Sequence, residues 1–235
     1  MLATLRGWWR KDHDTPGPGA LLIEFLVVIL GVFAAQQLSD WAQDRGELRR
    51  VEGLHRELVH AFGRYRAIAN SYEVALPCLE ERVDLISRQA SEGRPIDPDL
   101  LKPARLLLMG PDNISHEDFQ LLRKRFGDRM ADRIGSMEFN LRSTQVNGTA
   151  LERRWFEFQR LDSNYGPVHP ADRQSARQTA VEIKGHLYAL SKSTQLILNL
   201  TDLLAIERPA DVKLGPVADC AQMWRDGLGY VELGR

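Results

Sequence analysis

The chain is poor in the residues that build reactive or metal-binding centres. Of its 235 residues only two are cysteine, Cys78 and Cys220, far apart in sequence. No CxxC pair exists, which excludes a zinc knuckle and a thioredoxin-type redox motif. In an oxidising compartment the two thiols have the option of pairing. The expectation taken forward is the plainer one, two independent small core residues. Charge of one sign is missing too: 31 basic and 32 acidic residues, closely interspersed, leave a net charge of −1. A nucleic-acid binder shows a basic excess on one face, so nucleic acid is not an expected partner.

Histidine is present but not paired for chemistry. His55 and His60 stand five apart and so on different helix faces, whereas HExxH sets its two ligands four apart. His55 occupies an apolar seam position described below and reads as a core histidine. The ExxH pattern of ferritin-like metal bundles, a phosphate-cradling glycine loop, a nucleophile elbow and the kinase signatures are all missing. No catalytic, cofactor-binding or metal residues are therefore assigned, and the chain reads as non-enzymatic. No stretch alternates with the period of two that a half-buried sheet requires, so the fold class expected is all-α.

Against this background one feature dominates. Residues 20–38, ALLIEFLVVILGVFAAQQL, form a single apolar run. A membrane helix needs roughly 20 mainly apolar residues, because each rises about 1.5 Å across a hydrocarbon layer about 30 Å thick. The run meets this requirement, and Trp41 follows as an interface anchor. Pro16 and Pro18 interrupt the approach, DHDTPGPG, and argue against a helix continuing through it. A cleavable signal peptide is the rival reading, since Val32-Phe33-Ala34 fits a small-residue cleavage rule. Glu24 within the run and the long tail ahead of it favour an uncleaved anchor.

Orientation rests on a fine balance. Arg6, Arg10 and Lys11 flank the run on one side, and Arg45, Arg49 and Arg50 on the other. Long domains cross a membrane largely regardless of their charge, so the basic tail is given the weight. The expectation is a cytoplasmic N-terminus and an extracytoplasmic soluble domain.

Beyond Trp41 the apolar pattern narrows from all-round to one stripe. Val51, His55, Leu58, Phe62, Tyr65, Ala69, Tyr72, Leu76, Leu79, Val83 and Ile86 recur in alternating steps of four and three. That heptad seam marks a long helix, with charges such as Arg49, Glu52, Arg56 and Arg64 on its wet face. Pro77 is expected to kink or break it near Leu76. A loop over 91–99 leads to a short helix over 100–109. Ser115 reads as an N-cap with Asp118 three residues on, flanked by Ile114 and Phe119 as a hydrophobic staple. Gly127 and Gly135 are candidate breaks in the stripe that follows, and a separate helix is expected after Asn147-Gly148, carrying Leu151, Trp155, Phe158 and Leu161. A last long helix over about 171–206 repeats the four-three seam from Ala176 to Leu204. Leu196, Leu200 and Leu203 widen that face, so this helix is expected to be buried on more than one side. An antiparallel pairing of the two long helices would hide both seams. In the final stretch a short helix around 218–224 should dock Met223 and Trp224 on the bundle. The resulting division is a tail over 1–19, a transmembrane helix over 20–41, a long-helix antiparallel bundle over 42–208, and a C-terminal tail with a short helix over 209–235.

The span carries the residues of chemical interest. A carboxylate in hydrocarbon costs several kcal/mol unless protonated, paired or near the headgroups, so Glu24 reads either as a contact to a partner helix or as a depth-setting side chain. Gly31 and Ala35 form a small-xxx-small pair that permits close helix approach. Gln36 is placed to hydrogen-bond across helices or to mark the exit to water. Glu24, Gly31, Ala35, Gln36 and Trp41, in this order, resemble the span of an uncharacterised bacterial family of small single-pass membrane proteins: an early Glu, a mid-span Gly, a small residue followed by Gln, and a Trp at the exit. The resemblance covers about 25 residues and implies a bacterial inner-membrane anchor carrying a charged helical domain, the soluble part periplasmic. It implies no activity. The expected role is a scaffold or accessory subunit of a membrane assembly, whose partners are the lipid bilayer and a membrane protein or a second copy of the chain. The alternative is a membrane-anchored sensor with an extracytoplasmic ligand-binding bundle. A third possibility, a tethered enzyme, requires a site assembled only by the fold.

Overall fold

The computed structural model describes residues 18–103 and 113–207, together with 106, 109, 110, 209, 212, 213, 220, 223, 224, 232 and 233. The elements are α1 (Pro18–Ser91), α2 (Pro98–Leu101), α3 (His116–Phe126), α4 (Asp128–Trp155), a 3₁₀ stretch (Phe156–Leu161), α5 (Pro170–Leu203), and two-residue strands β1 (Val212–Lys213) and β2 (Glu232–Leu233). The strands form one antiparallel pair, Val212 opposite Leu233. Apart from loops, the other described residues are helical, and the class is all-α. Two compact units divide it, Met1–Arg50 and Val51–Arg235.

In the first unit α1 begins at Pro18, the first helical position, where proline's missing N–H is lost to no partner. The helix is long and apolar enough here to cross a membrane, and among the described residues none of the apolar window is buried. The expected residues of the tail, including Arg6, Arg10 and Lys11, lie outside the described residues.

In the second unit the seam read from sequence is the buried edge of α1. Val51, Leu58, Phe62, Ala69, Tyr72, Leu76, Leu79, Val83 and Ile86 are all in the core. His55 is half-buried and stacks on Phe126, ring centroids 4.7 Å apart. Pro77 lies within α1 and does not break it. Pro77 and Glu73, whose carbonyl loses its donor, both face solvent, so water can take the orphaned acceptor.

Three further expectations are corrected. The helix expected over 100–109 is four residues long and begins earlier. Asp97 caps it by accepting from the Asp99 N–H at 2.9 Å, Pro98 occupies its first position, and Lys102, held extended ahead of Pro103, ends it. The helix expected to begin after Asn147-Gly148 is the continuation of α4. Asn147 Nδ2 donates to the Ser143 carbonyl one turn back at 2.8 Å, which keeps that side chain inside the helix instead of turning the backbone. Gly135 also lies within α4, with the Phe119 ring packed against it, so the break in this stripe is at Gly127 alone. Gly127 has φ +83°, a region side chains avoid, and its N–H closes α3 on the Arg123 carbonyl at 2.9 Å. Finally, Leu196 and Leu203 of α5 are exposed rather than buried, and only Leu200 of the three is half-covered. The buried face of α5 is widened beyond its four-three seam by Thr179 and Ser193, which hydrogen-bond Glu157 and Ser143, and not by Leu196 or Leu203.

The expected N-cap is present. Ser115 Oγ accepts from the Asp118 N–H at 3.1 Å, and Ile114 and Phe119 pack against the core. At α5, His169 serves as N-cap in a reciprocal capping box with Asp172, whose carboxylate accepts the His169 N–H at 2.9 Å. Helices α1 and α5 pass in opposite directions: Asp84 meets Lys184 at 2.5 Å, while Arg66 meets Asp202 at 2.6 Å and donates to the Ile206 carbonyl. The segment leaving α5 crosses Gly63 so closely that an added Cβ would lie 2.5 Å from Pro209 Cδ and 2.7 Å from the Glu207 carbonyl oxygen.

The two cysteines are joined. Cys78 and Cys220 form a disulfide across 142 residues, which overturns the expectation of two separate core thiols. Of the short helix expected around 218–224 only Cys220, Met223 and Trp224 are among the described residues: the bridge ties Cys220 to α1, Met223 is buried and Trp224 packs against the core.

Two outcomes follow. Gly63→Ala should cost about 1–3 kcal/mol by overpacking, read as a fall in the urea midpoint with unchanged m. In the chain-entropy model a loop of this length is worth about 4–5 kcal/mol, so reduction should lower the thermal midpoint of the wild type and leave a Cys78→Ser/Cys220→Ser variant unaffected.

Candidate functional site

Glu24, Gly31, Ala35, Gln36 and Trp41 all lie on α1 within the first unit, and all are exposed. Helical spacing decides which act together. Gly31 is seven residues from Glu24 and Ala35 four from Gly31, so these three share one face. Gln36 is about 100° around the helix from Ala35 and lies off that face. Space at Gly31 is open: an added Cβ would meet nothing within 4 Å. Trp41 carries the Arg45 guanidinium over its ring, 4.1 Å from the centroid, one turn away. That pairing of an amphipathic ring with a cation suits a polar boundary beside an apolar layer. In an apolar medium the Glu24 face offers a carboxyl group and a flat strip, the means for a directional hydrogen bond and close backbone approach.

Among the described residues no three His, Cys, Asp or Glu side chains gather as a metal site. A cleft of about 430 Å³ lies between α1 and the start of α3, lined by Leu54, Glu57, Arg64, Asn113 and Asp118 among others. Its polar lining is partly committed to structure, since Asp118 and Ser115 hold each other at the cap, 2.7 Å apart.

Sequence reasoning placed Trp224 on the bundle but missed what receives it. Arg82 is buried on α1, its guanidinium 3.6 Å from the Trp224 ring centroid. It donates to the Leu100 carbonyl at 2.9 Å and to the Asp99 carbonyl, satisfying the C-terminal end of α2. Burial pulls its pKa down to about 10, against the opposing pull of Asp99 and Asp97, so it remains a cation at neutral pH. Trp155, fully buried, closes the cluster with Trp224 at 6.4 Å and Phe158 edge-on at 5.7 Å. An arginine flanking a heptad seam looks like part of the wet face, so the sequence held no signal for this role.

A second polar group ties α4 to α5. Arg154 pairs with Glu157 at 2.6 Å and Glu182 at 2.9 Å, and Glu157 accepts the Thr179 hydroxyl at 2.9 Å. The Arg154 hydrogen bond, followed by that from Thr179, holds the Glu157 carboxyl below the ordinary range. A depressed acid stabilises the fold above its unfolded pKa of about 4.3, and that contribution is lost as pH falls through the lower folded value. Glu157→Gln should therefore be less stable than wild type at neutral pH, and the difference should shrink on acidification below about pH 4. Chemical denaturation across that range is the check.

No family model, curated protein or solved structure matches the chain.

Proposed function

We propose that the protein is a non-enzymatic, single-pass membrane protein of the bacterial inner membrane, a scaffold or accessory subunit of a membrane assembly whose soluble part is a long-helix antiparallel bundle. The observation that carries this reading is the Leu22-onward stretch of α1, long and apolar enough to cross a membrane and, among the described residues, unburied. So large an apolar surface calls for lipid or a partner. The Glu24, Gly31, Ala35 face supplies a contact for a neighbouring helix, and the Gln36 and Trp41 positions complete the pattern shared with the small single-pass family that the span resembles.

The disulfide bears on orientation. Such bonds persist in oxidising compartments and are rare in the cytosol, so Cys78–Cys220 favours an extracytoplasmic bundle, with the basic N-terminal tail inside. The sensor reading ranks second. The cleft beside α3 supports it, lying on the same helix α1 that carries the apolar stretch.

Two measurements test the proposal. In spheroplasts, external protease should digest the bundle, whereas intact cells should protect it; digestion only after lysis would reverse the orientation. Purified in mild detergent, the wild type should carry a stoichiometric partner or a second copy. Gly31→Leu meets no neighbour within the chain and should leave folding intact while reducing co-purification about tenfold, as should Glu24→Gln. Co-purification untouched by both substitutions would remove the span contact.

A further inference from the structure

The outer side of the α4–α5 pair carries a second apolar seam. Four contacts fix the antiparallel register of these helices: Ser193 Oγ donates to Ser143 Oγ at 3.0 Å, His186 Nδ1 meets Asn147 Oδ1 at 3.0 Å, Arg154 meets Glu182, and Thr179 meets Glu157. In the same register Phe139 is level with Leu196, Val146 with Tyr188, and Phe156 with Val181. These six are exposed by 72, 49, 62, 67, 52 and 71 %, respectively. Phe139 and Val146 stand seven apart on α4, and Val181, Tyr188 and Leu196 seven and eight apart on α5, so each row keeps to one face, for about 10 Å on α4 and about 22 Å on α5, while Phe156 opens the 3₁₀ stretch beyond α4. The inward rows of the same helices, such as Met137 and Leu141 on α4 and Ile183 and Leu190 on α5, are buried. The pair is thus a two-helix layer whose core side is filled and whose outer side, among the described residues, is uncovered.

Two observations say what would cover it. Small residues, Ser143 and Ala150 on α4 and Gly185 and Ala189 on α5, alternate with the large ones, and an added Cβ at Gly185 would meet nothing. A helix laid along the seam can therefore approach closely. The rim is cationic. Arg142, Arg153, Arg177 and Lys192 are exposed, and Lys192 lies 5.5 Å from the Tyr188 ring. The nearby carboxylates Glu157 and Glu182 are already held by Arg154. A second copy using this face would set like charges against each other, at a cost. A bilayer surface would match the charge but would not call for a heptad repeat on two antiparallel helices.

We propose that this face seats an amphipathic helix of a partner protein, its apolar positions at heptad spacing over the Phe139–Leu196 and Val146–Tyr188 pairs and its flanks acidic. The inference rests on the accessory-subunit reading for its purpose and names the chemistry of one partner segment.

The test uses the full chain in nanodiscs of neutral lipid. The probe is a labelled synthetic helix of about 21 residues, enough to cover the stripe, with Leu at the a and d positions and Glu at e and g. The control is the same peptide with Lys at e and g. Anisotropy should show the acidic peptide binding, weakened by salt, and at least about tenfold more tightly than the basic one. Phe139→Glu with Leu196→Glu should abolish binding, and Arg142→Glu with Lys192→Glu should invert the preference. All four positions are exposed, and an unchanged thermal midpoint would confirm intact folding. Equal binding of both peptides, no binding of either, or wild-type affinity in the Phe139→Glu/Leu196→Glu variant would overturn the proposal. So would flotation with phosphatidylglycerol vesicles or self-association, if that variant abolished either. Peptide binding by a chain that purifies without a partner would support this surface and count only against the accessory-subunit reading.

Discussion

Burial of one stripe of α1 is the constraint on which the soluble unit depends. Leu58, Phe62, Tyr72, Leu79, Val83 and Ile86 are each worth about 1.5–3 kcal/mol when removed from water, and no single helix can bury its own stripe. Cover for that seam comes from later parts of the chain. Helix α5 passes it in the opposite direction, α4 packs on α5, and Cys220 is fastened to it through Cys78, itself a core residue on α1. Between Leu22 and Leu38 the same helix has another character, apolar on nearly every side and, among the described residues, unburied. One continuous element therefore presents two patterns suited to two different surroundings.

Satisfying polar groups is the second organising demand. Helix α4 buries Asn140 and Thr144 because each returns its side chain to a carbonyl one turn earlier, at 2.8 and 2.9 Å. Arg82 is buried as a cation because two carbonyls at the end of α2 and the face of Trp224 replace its water. The same arginine thus finishes a four-residue helix and holds the C-terminal segment, two tasks that a lysine's single point charge would not combine.

Much of this architecture was legible in the residues. The four-three spacing from Val51 to Ile86 named the buried edge of α1, and Ser115 with Asp118 named the start of α3, because both signals are local and repeat with the helix. Misreadings arose where a local rule met a tertiary circumstance. Pro77 lies on a solvated face, so of the kink or break expected there the break does not occur. Asn147-Gly148 resembles a turn, yet the asparagine returns its amide to Ser143 and the helix runs on. Leu196 and Leu203 looked like additional core, but apolar character says nothing about which neighbour stands opposite. Of the span residues, Glu24, Gly31 and Ala35 share a face that spacing alone defines, whereas Gln36, singled out for its hydrogen-bonding amide, lies about 100° around the helix from Ala35.

By itself the sequence determined the helical class, the long apolar stretch and the seam of each long helix, since periodicity along a chain is a one-dimensional property. The tertiary structure alone decided the union of Cys78 with Cys220, the reception of Trp224 by Arg82, and the uncovered outer seam of α4 and α5. Each of these depends on the distance between residues remote in sequence, and only the packed chain sets that distance.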